Sequence, residues 1–416
     1  MKKQYHCEEE KSDDEMTIRL SREEVERLIN EELHRSALSV GVMVISQMIE
    51  QEVNGLCGAH RKRNPGRRGY RYGTQPGYIV LGGQKVQIRK PRIRTVDGRR
   101  EVPLAIYNRL QQAHVIDQTV ARRLVRGVSC RNYRSVIETI AGSVGVSRSS
   151  VSRAFIRATE EQVREFYRRR YTGTRLLTIF IDGVHFKGQM LIVAIGVTSE
   201  GRKVVLSVRQ GATENASVCI DLLEELRERG VSTDQTTLFI LDGSKALHAA
   251  VKRVWGERAL VHRCHVHKMR NVRAYVSKDL WGEVQSQMRS AYAEKDVTQA
   301  RKRLLATAKW LDRVAPAAAG SLREGLEETL TVASLRLPAT LVRSLMSTNL
   351  VESPFQRVRS VTGRIARWTG QMRIRWCVAG LLEAEQRFKR ISGAKHIDKL
   401  TAALDRIGER TARLCA

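Results

Sequence analysis

Two acidic residues end apolar runs, and a third acid follows much later in the chain. Asp182 comes after LLTIFI and Asp242 comes after LFIL, and each is followed by glycine. Both runs are short and rich in Leu, Ile and Phe, which predicts two buried strands that each end on an Asp-Gly turn. In α/β proteins, sites lie at the carboxyl ends of such strands. Glu352, in the segment STNLVES, is the third acid.

Three carboxylates at one site would have a definite chemistry. They repel one another, and they stay ionised only when cations lie beside them. Such a donor set binds divalent metal ions for phosphoryl transfer. A single Asp-Gly pair after a strand is also the ordinary sequence of a turn, so this interpretation depends on all three acids and on the segments around them.

The residues between the acids predict the elements that position them. MLIVAIGVTSEG and RKVVLSVRQG predict two further strands joined by a turn at Ser199 to Arg202, and a helix is expected from about Ala216 to Glu228. The first three strands would form an antiparallel meander, which gives the element order βββαβ. A long helical pattern from about Ser277 to Ser344 separates Asp242 from Glu352.

A cluster of potential metal ligands follows the second acid. His262, Cys264, His265 and His267 lie within six residues, in the segment HRCHVHKMRN. No second group of Cys or His follows to complete a tetrahedral site, which argues against structural zinc. A buried cysteine and a hydrogen-bonded histidine at the start of a helix would have the same sequence.

The order Asp, Asp, Glu, the segment HRCHVHKMRN, and STNLVE with its basic continuation together resemble the Mutator-type bacterial insertion-sequence transposases. The resemblance extends from about Val44 to about Leu404. It implies an α/β fold with a ribonuclease H-like catalytic core, interrupted by an all-α insertion. Such a core sets the first two acids on adjacent strands and receives the third from a helix.

The resemblance also implies roles for individual residues. Asp182, Asp242 and Glu352 would be catalytic and would hold two Mg²⁺ ions, for which Mn²⁺ can substitute. Cys264 and His267 are spaced as the family's Cys-x-x-His signature, which implies that they organise the active site.

The function implied is that of a DDE transposase, which binds the terminal inverted repeats of its own element and target double-stranded DNA, and cleaves and joins strands. Two ends must be brought together, so a homodimer or a larger assembly is expected. Two other functions stay open. One is a ribonuclease H-like nuclease that only hydrolyses DNA, and the other is a helix-turn-helix regulator without catalytic activity.

The composition favours a nucleic-acid partner. Lys and Arg total 73 against 44 Asp and Glu, giving a formal net charge of +29 and a pI near 10.4. A charge of this size is expected in a protein that binds a polyanion. A merely basic globular protein is the alternative on composition alone.

The cysteines and the early apolar residues indicate the compartment. Seven cysteines are scattered singly without a CxxC pair, which argues against disulfides and favours a reducing cytoplasm. The resemblance implies a bacterial cytoplasm, where the protein would be associated with the nucleoid. The segment SALSVGVMVISQMI is too short and too polar to span a bilayer, and the acidic opening MKKQYHCEEEKSDDE is unlike a signal peptide. No membrane partner is expected.

A basic segment precedes the predicted core. Between Ala59 and Arg100 there are thirteen Lys or Arg and one acid, and YIVLGGQKVQIRKPRIR predicts a β-hairpin around Gly82-Gly83 with an exposed basic face. The excess of positive charge favours phosphate contacts over a simply solvated surface. The DNA-binding residues predicted here are Arg67, Arg68 and Arg71.

The segment YRSVIETIAGSVGVSRSSVSRAF predicts a helix-turn-helix. A tight turn framed by Ala141 and Gly145 precedes a second helix, whose first side chains would reach base edges in the major groove. An ordinary helical hairpin is the alternative. The residues expected to contact DNA are Arg148, Ser149, Ser152 and Arg153.

The N-terminal region and the segment around Glu352 carry further helical patterns. A capping box at Ser21 starts one helix, and a second is expected from about Ala37 to Val53; these helices would hold subunits together, grip DNA ends or form a hairpin without DNA contact.

Near the third acid, Pro354 suits a first helical turn, so the helix would start near Ser353, and Glu352 could also be a capping residue. Arg357 and Arg359 follow as DNA-binding candidates, and so do Arg364 and Arg367 at similar spacing.

The predicted organisation is a disordered tail at 1–16, a helical region at 17–58, a basic β-hairpin region at 59–105, a helix-turn-helix domain at 106–160, the first part of the core at 161–276, the all-α insertion at 277–345, and the last part of the core with C-terminal helices at 346–416.

Overall fold

The computed structural model describes residues 22–62, 64–81, 84–111, 120–126, 148–211, 216–363, 365, 368 and 371–415. They divide into two compact units, one within residues 1–119 and 131–151 and the other within residues 120–130 and 152–416. The three predicted catalytic acids all belong to the second unit.

The first unit begins with one long helix, α1 (Arg22–Cys57). The sequence predicted two helices here, and that division is wrong. The segment HRSA between the two predicted helices contains neither proline nor glycine, so no residue interrupts the helical hydrogen bonds. Ile49 and Val53, one turn apart on α1, are buried in the core of this unit.

The hairpin predicted around Gly82-Gly83 is confirmed. Strand β1 (Gly69–Leu81) pairs antiparallel with β2 (Gln84–Thr95). β1 starts well before the predicted YIVL segment, because the Tyr- and Gly-rich residues also join the ladder, with a bulge between Arg71 and Thr74.

A short helix, α2 (Ala105–Leu110), follows the hairpin. Its first backbone N–H groups find their acceptor on another element: the Glu52 carboxylate of α1 accepts from Ala105 N at 2.6 Å and from Ile106 N at 3.0 Å. A carboxylate at a helix N-terminus is favourable both for hydrogen bonding and for the helix dipole. Glu52 therefore fixes α2 against α1.

The second unit contains a five-stranded sheet. Its strands are β3 (Leu176–Phe186), β4 (Gln189–Thr198), β5 (Lys203–Gln210), β6 (Thr237–Leu241) and β7 (Ala259–Arg263), in the spatial order β5-β4-β3-β6-β7. The first three strands are antiparallel, as the sequence predicted, and β6 and β7 are parallel to β3. Strand β7 was not predicted, because its five residues include His and Arg and do not form the apolar run that is typical of a buried strand.

Helices cover both faces of this sheet and build the insertion. They are α3 (Arg148–Arg168), α4 (Ala216–Glu228), α5 (Lys245–Trp255), α6 (His265–Arg273), α7 (Lys278–Tyr292), α8 (Val297–Val314), α9 (Pro316–Arg323), α10 (Leu326–Ser334), α11 (Ala339–Leu345), α12 (Asn349–Thr362), α13 (Met372–Glu385) and α14 (Ile397–Cys415), with 3₁₀ turns at Gly256–Arg258 and Ala394–His396. Helix α4 and the helical insertion agree with the predictions. Within the long helical pattern, the segment SLREGLEETL is shared between α9 and α10, because Gly325 takes a φ of +60° between them.

Alternation along the strands decides what each face of the sheet carries. Phe180 and Val184 of β3 point to the face covered by α12 and α13, and Ile179 and Ile181 point to the face covered by α4 and α5. Burial of a side chain such as Phe180, which is 0% exposed, contributes about 1.5–3 kcal/mol. Asp182, between Phe180 and Val184 in this alternation, is therefore directed towards α12.

The prediction that the first strand stops at Asp182 is wrong. Pairing with β6 ends at Ile181 opposite Leu241, but β3 continues to Phe186 because its other edge stays paired with β4. Asp182 thus lies inside one strand and beside the end of another.

Two predicted regions fall outside the described residues. These are the tail at 1–16 and most of the helix-turn-helix, whose first helix and turn lie within 127–147. Among the helices of the described residues, none combines the length and apolar character that a bilayer-spanning segment requires.

Candidate active site

Asp182 is the most buried of the three acids, with 2% of its surface exposed. Burial raises the pKa of its carboxyl to about 7, and the neighbouring Asp242 acts in the same direction, while His267 and a hydrogen bond with Thr348 act against it. The charged form is therefore costly at this position. A cation placed beside it would offset that cost.

Asp242 follows β6 and lies beside β3. Leu241 pairs with Ile181, so Asp242 occupies the next position along the neighbouring strand. Its Oδ1 accepts a hydrogen bond from Ser244 N at 2.9 Å, and Ser244 caps helix α5. Gly243 has a φ of +100°, which confirms the predicted Asp-Gly turn after this strand.

Glu352 is supplied by helix α12. That helix begins at Asn349 with Thr348 as its N-cap, and Pro354 lies inside it, so the predicted start near Ser353 is wrong. The Glu352 Oε1 lies 3.1 Å from Arg270 Nη1, and the backbone N–H of the N-cap residue Thr348 donates to Cys264 Sγ rather than to Glu352.

The acids and a histidine form a close group. Among the described residues, Asp182, His267 and Glu352 have ligand atoms within 4.8 Å of one another, and Glu352 Oε1 is 3.8 Å from His267 Nε2. Asp242 lies outside this set, although its charge acts on both Asp182 and His267. The structure therefore brings Asp182 and Glu352 together as predicted, and adds His267 to them.

The charge of His267 follows from these neighbours. Burial favours its neutral form, but the hydrogen bond with Cys264 and the carboxylates of Asp182 and Asp242 outweigh it and raise its pKa to about 9. For Cys264, burial raises the pKa of the thiol, and the hydrogen bonds with His267 and Thr348 prevail and lower it.

Thr348 links the elements of this site. Its backbone N–H donates to Cys264 Sγ at 3.4 Å, and its Oγ1 lies 3.7 Å from the same sulfur and 3.3 Å from His267 Nδ1. Cys264 N in turn donates to Leu241 O at 2.8 Å, at the end of β6. One buried threonine thus connects β6 and α6 to the first turn of α12.

The four potential zinc ligands point to two sides. Cys264 and His267 face Thr348, whereas His265 Nε2 lies 2.7 Å from Thr329 O and its ring stacks on Tyr292 at 3.8 Å. His262 Nδ1 accepts from the backbone of α10 at Val332 N, at 3.4 Å. These contacts give His262 and His265 a packing role against the insertion.

The predicted DNA-binding residues of the basic segment lie on or near the hairpin. Arg67 and Arg68 are exposed, and the Arg67 guanidinium lies 4.0 Å from the Tyr70 ring centroid. Arg71 is half-buried and pairs with Glu50 of α1 at 2.8 Å. Exposed cations stacked on tyrosine leave their N–H groups available to phosphates.

Other predicted contacts lie at the start of α3, the predicted recognition helix, and on α12. Ser152 is half-buried and Arg153 is exposed on α3, while Arg148 and Ser149 lie in its first turn. Arg357 is exposed, and Arg359 donates to His185 O at 3.0 Å. Arg364 and Arg367 lie outside the described residues.

Sequence reasoning missed Thr348, Arg270 and Arg263. Arg270 lies one turn after His267 on α6, a spacing visible in HKMRN. Arg263 donates to Glu324 O at 3.0 Å, and its guanidinium lies against Gly243 and Gly325, so it joins the sheet edge to the insertion. For Thr348 the sequence offered no signal other than its position directly before Asn349 in STNLVE.

Comparison with known proteins identifies the family. Residues 10–390 match the family described as "Transposase, Mutator family". The chain therefore belongs to the Mutator family of transposases, which confirms the resemblance found in the sequence.

The relatives are transposases of insertion sequences. The chain is 29% identical over 329 residues to the transposase for ISRM5 of Rhizobium meliloti (strain 1021), covering 77% of this chain and 80% of that protein. It is 27% identical over 242 residues to the transposase for IS6120 of Mycolicibacterium smegmatis, covering 56% of this chain and 73% of that protein. A third relative, the ISRM3 transposase of Rhizobium meliloti (strain 1021), is 25% identical over 301 residues, 70% of this chain and 72% of the relative.

Proposed function

We propose that this chain is a DDE transposase that binds the terminal inverted repeats of an insertion sequence and catalyses metal-dependent DNA strand cleavage and strand transfer. One observation carries the proposal: Asp182 on β3 and Glu352 on α12 lie within one small group, beside Asp242 at the end of β6. Membership in the Mutator family supports it.

The topology supports a ribonuclease H-like core. Three antiparallel strands are followed by a helix and two strands parallel to β3, with β3 in the centre of the sheet. In that arrangement the acids of the two central strands face the helix that carries the third acid. The helices from α7 to α11 form the insertion between the second and third acids.

The residues fit divalent metal ions. Carboxylate oxygens are the ligands that Mg²⁺ and Mn²⁺ prefer, and Asp182, Asp242 and Glu352 would hold two such ions. Burial raises the pKa of Asp182, so a cation beside it would favour the charged form of its carboxyl. His267 and Arg270 currently pair with Glu352, so they would neutralise it when no ion is bound.

The ions, when bound, supply an activated water or 3′-hydroxyl and stabilise the leaving oxygen of an in-line displacement. The chain's own part is to hold three carboxylates together against their repulsion. The sheet fixes the Asp182 and Asp242 backbones, and α12 brings Glu352 to them. No covalent bond between protein and DNA is required.

Cys264 and His267 organise this site through Thr348. Cys264 accepts the backbone N–H of the α12 N-cap, and His267 contacts the hydroxyl of the same residue. Displacement of Thr348 would therefore move the first turn of α12 and with it Glu352. This role needs no metal bound to the Cys-x-x-His pair.

DNA recognition is assigned to the other predicted elements. Arg148, Ser149, Ser152 and Arg153 would read bases from α3. Phosphate contacts would come from the hairpin residues Arg67, Arg68 and Arg71 and from Arg357 and Arg359 on α12. A homodimer or larger assembly would bring two ends together.

A joining assay tests the function against its rivals. Purified protein is incubated with pre-cleaved end DNA, a plasmid target and Mg²⁺ or Mn²⁺, and joined products are expected. Nicked or shortened DNA without joined products would indicate a nuclease that only hydrolyses. End binding without either product would indicate a regulator.

A further inference from the structure

A basic groove with a volume of about 490 Å³ lies beside the candidate active site. It is bordered by α11, α12, the segment after α13 and the start of β5. Its cations come from all four of these elements. They are Lys203, Arg343, Arg357, Arg387 and Lys389.

The groove concentrates positive charge without an internal counter-charge. None of the described residues that line it is Asp or Glu. Four of its five cations are exposed; the fifth, Lys203, is half-buried. Arg387 has one carboxylate partner, Glu383 at 3.1 Å, which lies outside the groove. Cations gathered in this way repel one another, so an anionic occupant would stabilise the groove.

The floor of the groove is apolar and contains an aromatic ring. Phe388 and Leu350 are half-buried there, and the Lys203 ammonium lies 5.3 Å from the Phe388 ring centroid. Cations that follow a backbone, combined with an aromatic side chain for the bases, characterise sites for single-stranded nucleic acid. Bases inside a duplex are already stacked and cannot use such a floor.

The groove shares α12 with the acids. Glu352 belongs to the acid group, and Ser353, the next residue of the same helix, and Arg357, about one turn further on, line the groove. A strand held in the groove would therefore follow the face of α12 that adjoins the face carrying Glu352.

We infer that the basic groove binds a short single-stranded stretch of DNA next to the acid group, with Arg343, Arg387 and Lys389 on its phosphates and Phe388 against a base. This inference rests on the proposed function and adds to it a site for one unpaired strand.

The first test is binding of fluorescein-labelled oligothymidylate to the full chain, followed by anisotropy at several salt concentrations. The double variant R343A/K389A should lower the slope of log affinity against log salt by about 0.7 per lost phosphate contact. The control is K302A/K309A, which removes two exposed cations from α8 and should leave the slope unchanged. An unchanged slope in R343A/K389A would overturn the inference.

The second test separates stacking from charge. F388L keeps an apolar side chain in the floor and removes the ring, so it should weaken oligothymidylate binding about 5-fold or more without a change in salt slope. Oligonucleotides carrying 5-iododeoxyuridine should cross-link, under ultraviolet light, to a peptide that contains Phe388. Absence of that cross-link in the wild-type protein would contradict the assignment even if a variant failed to fold.

The results also separate this inference from the proposed function. Equal weakening of duplex and single-strand binding by R343A/K389A and F388L would make the groove a duplex site and overturn the inference. D182A should bind oligothymidylate normally while it loses strand cleavage. Normal cleavage by D182A would instead refute the proposed function and leave the groove result standing.

Discussion

Helix α12 borders two regions of opposite chemistry. On one side, Glu352 lies with the 2% exposed Asp182, and Thr348 holds the surrounding elements in place. On another side, Arg357 and three other exposed cations line the basic groove. The acids have partners fixed within the protein, whereas the cations face solvent.

This difference follows from the cost of burying charge. A buried carboxylate needs close and well-placed partners, because water does not compensate it. An exposed Arg or Lys stays hydrated and exchanges water and counterions for phosphate when DNA binds. Substitutions in the acid group should therefore have large and non-additive effects, and substitutions among the cations should have smaller, salt-dependent effects.

Removal of an acid should give the largest effect. Asp182→Ala, Asp242→Ala and Glu352→Ala are each expected to lower cleavage and joining with Mg²⁺ or Mn²⁺ by about 1,000-fold or more, since two carboxylates cannot place both ions. Double variants should lose little further activity. End-DNA binding, measured by mobility shift, should persist in all three.

A matched control for the acids is Asp221→Ala, which removes an exposed carboxylate from α4 and should leave activity unchanged. Glu352 is the acid whose role can be tested alone. If Glu352→Gln joined ends at a near wild-type rate, Glu352 would not be a metal ligand.

Removal of the Thr348 hydroxyl should have the next largest effect. Thr348→Val keeps the side-chain volume but loses the contacts with Cys264 and His267, so activity should fall about 10- to 100-fold, as for groups that orient metal ligands. The Mn²⁺ concentration for half-maximal activity should rise, and Thr348→Ser should restore both values.

The control for Thr348 lies on the same helix. Thr362 is also buried, but its hydroxyl donates within the helix, to Val358 O at 2.8 Å. Thr362→Val should therefore leave the Mn²⁺ requirement unchanged. Equal effects of the two valine variants would show only a loss of helix stability.

Arginines of the predicted recognition helix should have intermediate effects. Alanine at Arg148 or Arg153 should weaken binding to the element's ends by about 1–3 kcal/mol if the side chain reads a base, with little effect on random DNA. Competition binding with end and random duplexes measures this. Equal weakening on both would make these residues phosphate contacts.

The hairpin cations should have smaller effects. Arg67→Ala and Arg68→Ala should each reduce the salt slope of duplex binding by about 0.9 if each contacts one phosphate. Arg71 is paired with Glu50, so it tests whether a cation with a fixed partner contributes less to DNA binding than the exposed Arg67 and Arg68. If Arg71→Ala left the salt slope of duplex binding unchanged and lowered the melting temperature, Arg71 would have a structural role.

The Cys-x-x-His pair should bind no zinc, and this is the smallest expected effect. Metal analysis of chelator-washed protein should find no stoichiometric zinc, because Cys264 and His267 face Thr348 and the two other histidines face the insertion. Stoichiometric zinc that disappears in Cys264→Ala would contradict this assignment.

The sequence by itself determined the elements with a strong local pattern. The meander, helix α4 and the Asp-Gly turn after β6 were predictable because apolar periodicity and glycine act over a few residues. The pattern could not show that β3 continues past Asp182, because that depends on pairing with β4. It also did not show that α1 is a single helix from Arg22 to Cys57.

The types of the acids and their order along the chain were also visible in the sequence, but only the tertiary structure decided their partners. Thr348 contacts Cys264 across 84 positions, and Arg270 reaches Glu352 across 82. The basic groove likewise draws its cations from four separate elements. Contacts of this kind depend on how the sheet, α6 and α12 pack, and packing is set by long-range burial that no local pattern records.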